Sequence, residues 1–112
     1  MNFAEALGRA VWKDLHTIGV FAEEFISPEI LEILKCNYPC NECRLNLIAK
    51  PEPECSKPKC NEEFFWRLHN IVNEHLNKPV RGWGVVEQYQ ENKALWAELA
   101  AGLPMSYEKR LA

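Results

Sequence analysis

The stretch from Asn61 to Asn77, NEEFFWRLHNIVNEHLN, decides the fold. It opens on polar residues that cap a helix and place negative charge at the positive end of the helix dipole. Its apolar residues recur at steps of three and four, which predicts an amphipathic helix with a core face of Phe65, Leu68, Val72 and Leu76. His69 and Asn73 lie one turn apart on a second face, beside Trp66 and Asn70. Such a helix is predicted to build both a core and a polar site.

Three helices are predicted before this stretch. Apolar spacing from Leu7 to Phe25 predicts one long helix. Ser27-Pro28 supplies an N-cap and an N1 proline for the second helix. Pro39 suits the first turn of a third helix, which includes Cys40 and Cys43.

The rest of the sequence predicts a loop and a fifth helix. Residues 50–60 contain three prolines and therefore form a loop. A fifth helix passes through Val85 and Leu99 and ends at Gly102-Leu103-Pro104. No strand pattern, repeat or low-complexity tract is present, so the predicted fold class is all-α.

Composition limits the classes of function. A chain of 112 residues with 47% hydrophobic residues predicts one densely packed domain over residues 1–112. The net charge of −3, with scattered Lys and Arg, predicts no nucleic-acid partner. No apolar run approaches the ~20 residues of a membrane helix, and no signal or transit peptide is predicted. Five cysteines then favour catalysis or metal binding over structural disulfides.

A second polar stripe is predicted on the first helix. Arg9, Trp12 and His16 follow one another at steps of three and four beside its apolar face. With His69 and Asn73 they combine aromatic rings and hydrogen-bonding groups, which suits a planar ligand that has ring nitrogens, ring carbonyls and phosphates. The alternative is a solvated helix face whose histidine is hydrogen-bonded within the protein.

Cys40-Asn41-Glu42-Cys43 provides the reactive groups. Unsatisfied N–H groups and the dipole at a helix N-terminus stabilise a thiolate and make it reactive. The i, i+3 spacing brings both sulfurs near enough for a disulfide. A dithiol beside an electron-accepting ring has the outline of a thiol oxidase.

Three linked motifs identify a family that the chain resembles. They are Gly8-Arg9-Ala10-Val11-Trp12-x-x-Leu15-His16-Thr17, Tyr38-Pro39-Cys40-x-x-Cys43 and Leu68-His69-Asn70-x-Val72-Asn73-x-x-Leu76-x-Lys78-Pro79. In this order and with these gaps they resemble the Erv/ALR family of FAD-linked sulfhydryl oxidases. The resemblance implies a four-helix bundle with a short fifth helix, a homodimer, and FAD at the mouth of the bundle.

The resemblance also implies the site and the reaction. It implies the catalytic pair Cys40 and Cys43, no metal, and cofactor contacts from Arg9, Trp12, His16, Cys43, His69, Asn70, Val72, Asn73, Leu76 and Lys78. A thiol-containing protein substrate would reduce the disulfide by attack on Cys40, the more accessible sulfur. Cys43, nearest the flavin, would pass the electrons to FAD and on to molecular oxygen, giving hydrogen peroxide. The small size resembles minimal members, so a cytoplasmic or virus-associated location is expected.

Some positions depart from the family pattern. Many members have a structural disulfide at the positions of Trp66 and Trp83, and stacked indoles are expected to replace it. Phe21 stands where many members have tyrosine. Cys55 and Cys60 are interpreted as a structural disulfide of the proline-rich loop, with an electron shuttle or two inert thiols as alternatives. 

Other readings of the cysteines remain open. Cys36 is expected to be a small buried hydrophobe. A zinc-binding interaction module is the chief alternative to the oxidase, followed by a family member that binds FAD without turnover. A thioredoxin-like protein is excluded because no βαβ pattern surrounds the CxxC. Arg44 in place of histidine after Cys43 excludes a c-type haem site.

Overall fold

The computed structural model describes residues 2–102, which form five helices and no strand. The helices are α1 Phe3–Phe21, α2 Ser27–Asn37, α3 Asn41–Ala49, α4 Asn61–His75 and α5 Gly84–Ala101. The prediction of an all-α fold with five helices is confirmed. The predicted stop at Leu103-Pro104 lies outside the described residues. None of the helices in this part of the chain is both long enough and apolar enough to cross a membrane.

The core joins the first four helices. It contains the buried side chains Leu15, Leu31, Leu47, Phe64, Phe65 and Leu68. Burying each of these side chains stabilises the fold by about 1.5–3 kcal/mol. α5 packs against α1 and contributes one buried residue, Val86. The first four helices therefore form the bundle, and α5 lies against its outside.

A close contact between α1 and α4 sets up the site. Gly19 of α1 faces the start of α4, where an added Cβ would lie 3.3 Å from the Cα of Glu62. A larger side chain would push the two helices apart. His16 lies one turn before Gly19 on α1, so the same contact brings His16 within reach of α4.

The turn between α1 and α2 differs from the prediction. α1 ends at Phe21 rather than at Phe25, because the following backbone is bound by the side chain of Asn61. Asn61 Oδ1 accepts hydrogen bonds from the backbone N–H groups of Ile26 and Ser27, both at 3.1 Å. Its Nδ2 donates to the carbonyl of Glu24 at 2.7 Å. Asn61 therefore fixes the bundle corner instead of capping its own helix.

Three other helix ends also differ. α1 begins at Phe3, earlier than the apolar spacing indicates, because Asn2 caps it by accepting the N–H of Glu5 at 2.9 Å. α2 includes Ser27 as its first residue instead of using it as the N-cap. α4 ends at His75, and Leu76 is 51% exposed, so Leu76 is not the core residue that the periodicity predicts.

Candidate active site

A cavity of about 940 Å³ opens between α1, α3, α4 and the segment that follows α4. Its volume is at the upper end of the ~300–1,000 Å³ typical of small-molecule sites. Nine of the ten side chains expected to contact a cofactor line it: Arg9, Trp12, His16, Cys43, His69, Val72, Asn73, Leu76 and Lys78. The fold thus brings the three sequence motifs to one cavity, while the role of each residue as a cofactor contact stays a prediction.

Aromatic rings from α1, α4 and α5 form one wall of this cavity. Trp12 stacks on His69 with ring centroids 4.1 Å apart and planes 7° from parallel. His16 Nε2 and His69 Nδ1 lie 2.9 Å apart, and Tyr89 stacks on His16 at 5.2 Å. These contacts hold four rings in fixed orientations, as a site for a flat ligand requires.

The two histidines are neutral at pH 7. Burial and, to a smaller extent, the charge of Arg81 together lower the pKa of His16 to about 4. The pKa of His69 is also lowered to about 4, mainly by burial and to a smaller extent by the nearby His16. One ring must donate and the other accept in the bond between them, which requires an unprotonated acceptor. The bond therefore couples the tautomers of the two rings, and the pair presents an uncharged surface.

The charge around the cavity is positive although the chain is acidic. The net charge of the chain is −3. Yet the charged Lys, Arg, Asp and Glu side chains that line the cavity are five cations and one carboxylate, namely Arg9, Lys13, Lys50, Lys78, Arg81 and Glu5. Such a concentration of cations in a cleft favours an anionic ligand. Aromatic walls and a cationic rim together fit the base rings and phosphates of a nucleotide.

Cys40 and Cys43 form a disulfide at the edge of the cavity, as predicted. Cys40 is the N-cap of α3 rather than a residue of its first turn, and its sulfur accepts the N–H of Cys43 at 3.3 Å. Cys43 lines the cavity and Cys40 does not. The disulfide thus presents one sulfur to the ligand cavity and leaves the other outside it.

Asn70 does not line the cavity, in contrast to the other nine predicted contacts. Its Nδ2 donates to the carbonyl of Arg81 at 2.9 Å, and its Oδ1 accepts the N–H of Arg81 at 2.8 Å. Trp66 Nε1 donates to the same carbonyl at 2.9 Å. Trp66 also meets Trp83 edge to face at 5.2 Å, so the expected indole contact is present but is not a parallel stack. These side chains hold the segment between α4 and α5 against α4.

The three cysteines outside the CxxC are free thiols. Cys36 is exposed, so the expectation of burial is wrong. It lies about 140° around α2 from the core residue Leu31, a position that faces away from the bundle. Cys55 and Cys60 are partly buried and do not form the expected loop disulfide. Burial and the nearby Glu63 carboxylate raise the pKa of the Cys55 thiol.

The geometry gives no support to the zinc alternative. Within residues 2–102, no group of three or more His, Cys, Asp or Glu side chains is placed to hold a metal ion. Two of the five cysteines are joined to each other. 

Several lining residues have no counterpart in the predicted set. Arg81, Tyr89, Tyr38 and Lys50 all line the cavity. The sequence gives a partial signal for two of them, because Arg81 follows Lys78-Pro79 closely and Tyr38 is the first residue of the motif that contains Cys40 and Cys43. The other lining residues belong to separate elements, and only the tertiary structure brings them to the cavity.

Fold and site together define a class of protein: a helical bundle with a CxxC disulfide at the edge of a cationic, aromatic cavity. Comparison with known proteins gives the family. The Erv1/Alr family profile matches residues 9–93, and the chain belongs to this family. A similar protein is the FAD-linked sulfhydryl oxidase ERV1 of Oryza sativa subsp. japonica, 33% identical over 87 residues, which are 68% of this chain and 44% of that protein. The chain therefore aligns with less than half of that relative's length.

Proposed function

We propose that the protein is an FAD-dependent thiol oxidase that forms disulfides in substrate dithiols and delivers the electrons to molecular oxygen, giving hydrogen peroxide. One observation carries this proposal: Cys43 of the CxxC disulfide lines the same cavity as the Trp12–His69 stack. FAD bound in this cavity would supply the two-electron acceptor that the side chains lack. The name of the rice relative and the family membership support the same activity.

The two cysteines have different roles in the proposed exchange. A substrate thiolate attacks Cys40, which lies outside the cavity, and the Cys40–Cys43 bond breaks as the mixed disulfide forms. Cys43 leaves as a thiolate at the third position of α3, where the N–H groups and dipole of the helix N-terminus stabilise its charge. The second substrate thiol then displaces Cys40, so the substrate loses two electrons and two protons and the CxxC gains them.

Reoxidation of the CxxC completes the proposed cycle. The two cysteines lose two electrons and two protons as their disulfide re-forms, and oxygen takes up both to give hydrogen peroxide. Cys43 faces the cavity and is therefore the sulfur through which the electrons leave. Lys78 and the other cations of the cavity would hold the anionic part of the cofactor, while Trp12 and His69 would pack against its rings.

Spectroscopy of the purified protein tests this proposal. The wild type should show flavin absorbance bands, oxidise dithiothreitol in air and release one hydrogen peroxide per disulfide formed. Cys40→Ser should leave a Cys43 thiolate beside oxidised flavin, giving a long-wavelength charge-transfer band without turnover. Cys43→Ser should be inactive and lack that band. A band in the Cys43 variant instead would reverse the assignment of the two sulfurs.

Two outcomes would contradict the oxidase itself. A folded protein that stays colourless after incubation with FAD would not be a flavoprotein. A yellow protein with an intact Cys40–Cys43 pair and no thiol oxidation would be a family member that binds FAD without turnover. Dithiothreitol is small enough to reach Cys40 directly, so the test does not depend on knowing the protein substrate.

We also propose that the protein forms a homodimer, as the family resemblance implies. A groove between α1 and α5 is lined by apolar side chains that include Phe21, Leu95 and Leu99, which are 44%, 56% and 58% exposed. Burying such side chains in a second copy would remove them from water. Sedimentation equilibrium should give twice the monomer mass of 13.0 kDa. A monomer at all concentrations up to those used for activity would contradict the proposal.

A further inference from the structure

Arg81 is an exposed residue whose backbone is nevertheless held in place by side chains of α4. Asn70 bonds to both its N–H and its carbonyl, and Trp66 donates a third hydrogen bond to that carbonyl. A typical hydrogen bond contributes about 1 kcal/mol net, so three of them at one residue fix its position strongly. The main chain of Arg81 is thus anchored while its side chain remains at the surface.

Arg81 belongs to the lining of the cavity and acts electrostatically on its aromatic rings. Its charge lowers the pKa of His16 and of His69. It acts in the same direction on Tyr89, whose pKa is raised by burial. One charge that acts on rings from three helices lies close to where those rings converge.

No carboxylate neutralises this guanidinium in the part of the chain that the structure describes. The ion pairs found there join Lys35 to Glu32 and Arg67 to Glu63. Arg81 also lies outside the three sequence motifs through which the chain resembles its family. The hydrogen bonds at its backbone hold the segment after α4, but no ion pair in the described residues uses the charge of its side chain.

We propose that Arg81 is a further cofactor-binding residue whose guanidinium contacts the phosphates of the flavin nucleotide. In this role Asn70 and Trp66 are positioning residues, which act on the cofactor through the backbone of Arg81. The inference rests on the proposed FAD site and adds a residue to it. An arginine fork matches the geometry and the negative charge of phosphate oxygens, whereas the oxidised flavin ring has no net charge.

The choice of flavin distinguishes a phosphate contact from a general effect. FAD has two phosphates and riboflavin has none, while both have the same ring system. Loss of a charge-assisted hydrogen bond to phosphate should weaken FAD binding roughly 10- to 100-fold. Riboflavin binding should remain unchanged. The change in the ratio of the two dissociation constants on substitution of Arg81 therefore reports on phosphate recognition by that residue.

The experiment uses FAD-loaded protein. FAD release on dilution is followed through the recovery of flavin fluorescence, and competition with riboflavin gives the ratio of the dissociation constants. Arg81→Met should shift that ratio roughly 10- to 100-fold towards riboflavin, as argued above. Arg81→Lys retains the charge without the fork and should shift it less. Lys57→Met makes the same change in net charge outside the cavity and should leave the ratio at the wild-type value.

The outcomes separate this inference from the proposed function. An unchanged ratio in Arg81→Met overturns the inference, whether the affinities stay constant or fall together, because either result means that Arg81 does not recognise phosphate. The proposed function still stands in that case, since the wild type binds FAD. A wild-type protein that binds neither flavin overturns the proposed function as well. A ratio that shifts in Arg81→Met and stays constant in Lys57→Met supports the inference.

Discussion

Lowering the pH from 7 to 5 should destabilise this protein through the pair His16 and His69. The pKa of each ring is about 4 in the folded protein, with burial as the main cause. A histidine in an unfolded chain has a pKa of about 6.5. As the pH falls below about 6.5, the unfolded chain takes up protons that the folded protein does not. The stabilisation by the neutral rings is therefore complete above pH 6.5 and is lost progressively towards pH 4.

The size of this effect follows from the proton linkage. For one ring with these two pKa values, the free energy of unfolding falls by about 2 kcal/mol between pH 7 and pH 5. We count His16 alone, because it is 4% exposed, whereas solvent screens the partly exposed His69. About 1–2 kcal/mol is expected. Glu63 does not interfere, because its pKa is lowered from 4.5 to about 2 and its contribution is lost only as the pH falls below 4.5.

Urea unfolding of the FAD-saturated protein at pH 7, 6 and 5, followed by circular dichroism, measures the change. His16→Gln should lower stability at pH 7, because it breaks the bond to His69, but should remove at least half of the pH dependence. His75→Gln is the matched control, since it removes an exposed histidine outside the pair. It should keep the wild-type pH dependence. Equal pH dependence in the wild type and His16→Gln would refute the reasoning.

Three further changes test other parts of the structure. Glu63→Gln should cost about 2–3 kcal/mol in urea unfolding, because the buried carboxylate accepts four hydrogen bonds, whereas the exposed Glu54→Gln should cost almost nothing. Replacing Cys55 and Cys60 together with serine should leave oxidation of both dithiothreitol and a reduced protein intact. The reason is that the raised pKa of Cys55 keeps its thiol protonated, and the thiolate is the reactive form. A selective loss with the protein substrate would show that they shuttle electrons. Trp83→Ala should speed FAD release, since it removes the indole contact that holds the segment after α4; unchanged release would mean that this contact does not support the site.

The sequence predicts the helices and the composition of the site well, for a physical reason. Helical periodicity reports which face of each helix is buried, so Leu68 and Phe65 are found in the core as predicted. The same periodicity places Trp12 beside His16 on α1 and His69 beside Asn73 on α4. Once α1 and α4 pack together, these faces must meet. Helical periodicity thus accounts for the meeting of these four side chains, whereas Leu76 and Lys78, which follow the end of α4, are predicted from the family motif.

The segments between helices could not be predicted in the same way. The end of α1 depends on Asn61, which is 35 residues away from Ile26 in the chain. Asn70 belongs to a motif that implies cofactor contact, but its amide binds the backbone of Arg81 instead. Arg81 itself lies at the cavity only because that backbone is held. These contacts depend on tertiary structure, and no local pattern contains them.

By the family resemblance, many members have a structural disulfide at the positions of Trp66 and Trp83. In this protein, side-chain contacts of these two residues join the same two segments. A disulfide typically stabilises a protein by about 2–4 kcal/mol. An aromatic pair adds about 0.5–1.5 kcal/mol beyond its burial, and the three hydrogen bonds to Arg81 about 1 kcal/mol each. The summed free energy of these contacts is of the same size as that of a disulfide. Unlike a disulfide, however, the contacts cannot be reduced by dithiol substrates. Under nitrogen, excess dithiothreitol should therefore lower the melting temperature no more than replacing Cys40 and Cys43 with serine does. A larger decrease would mean that a disulfide other than Cys40–Cys43 stabilises the protein.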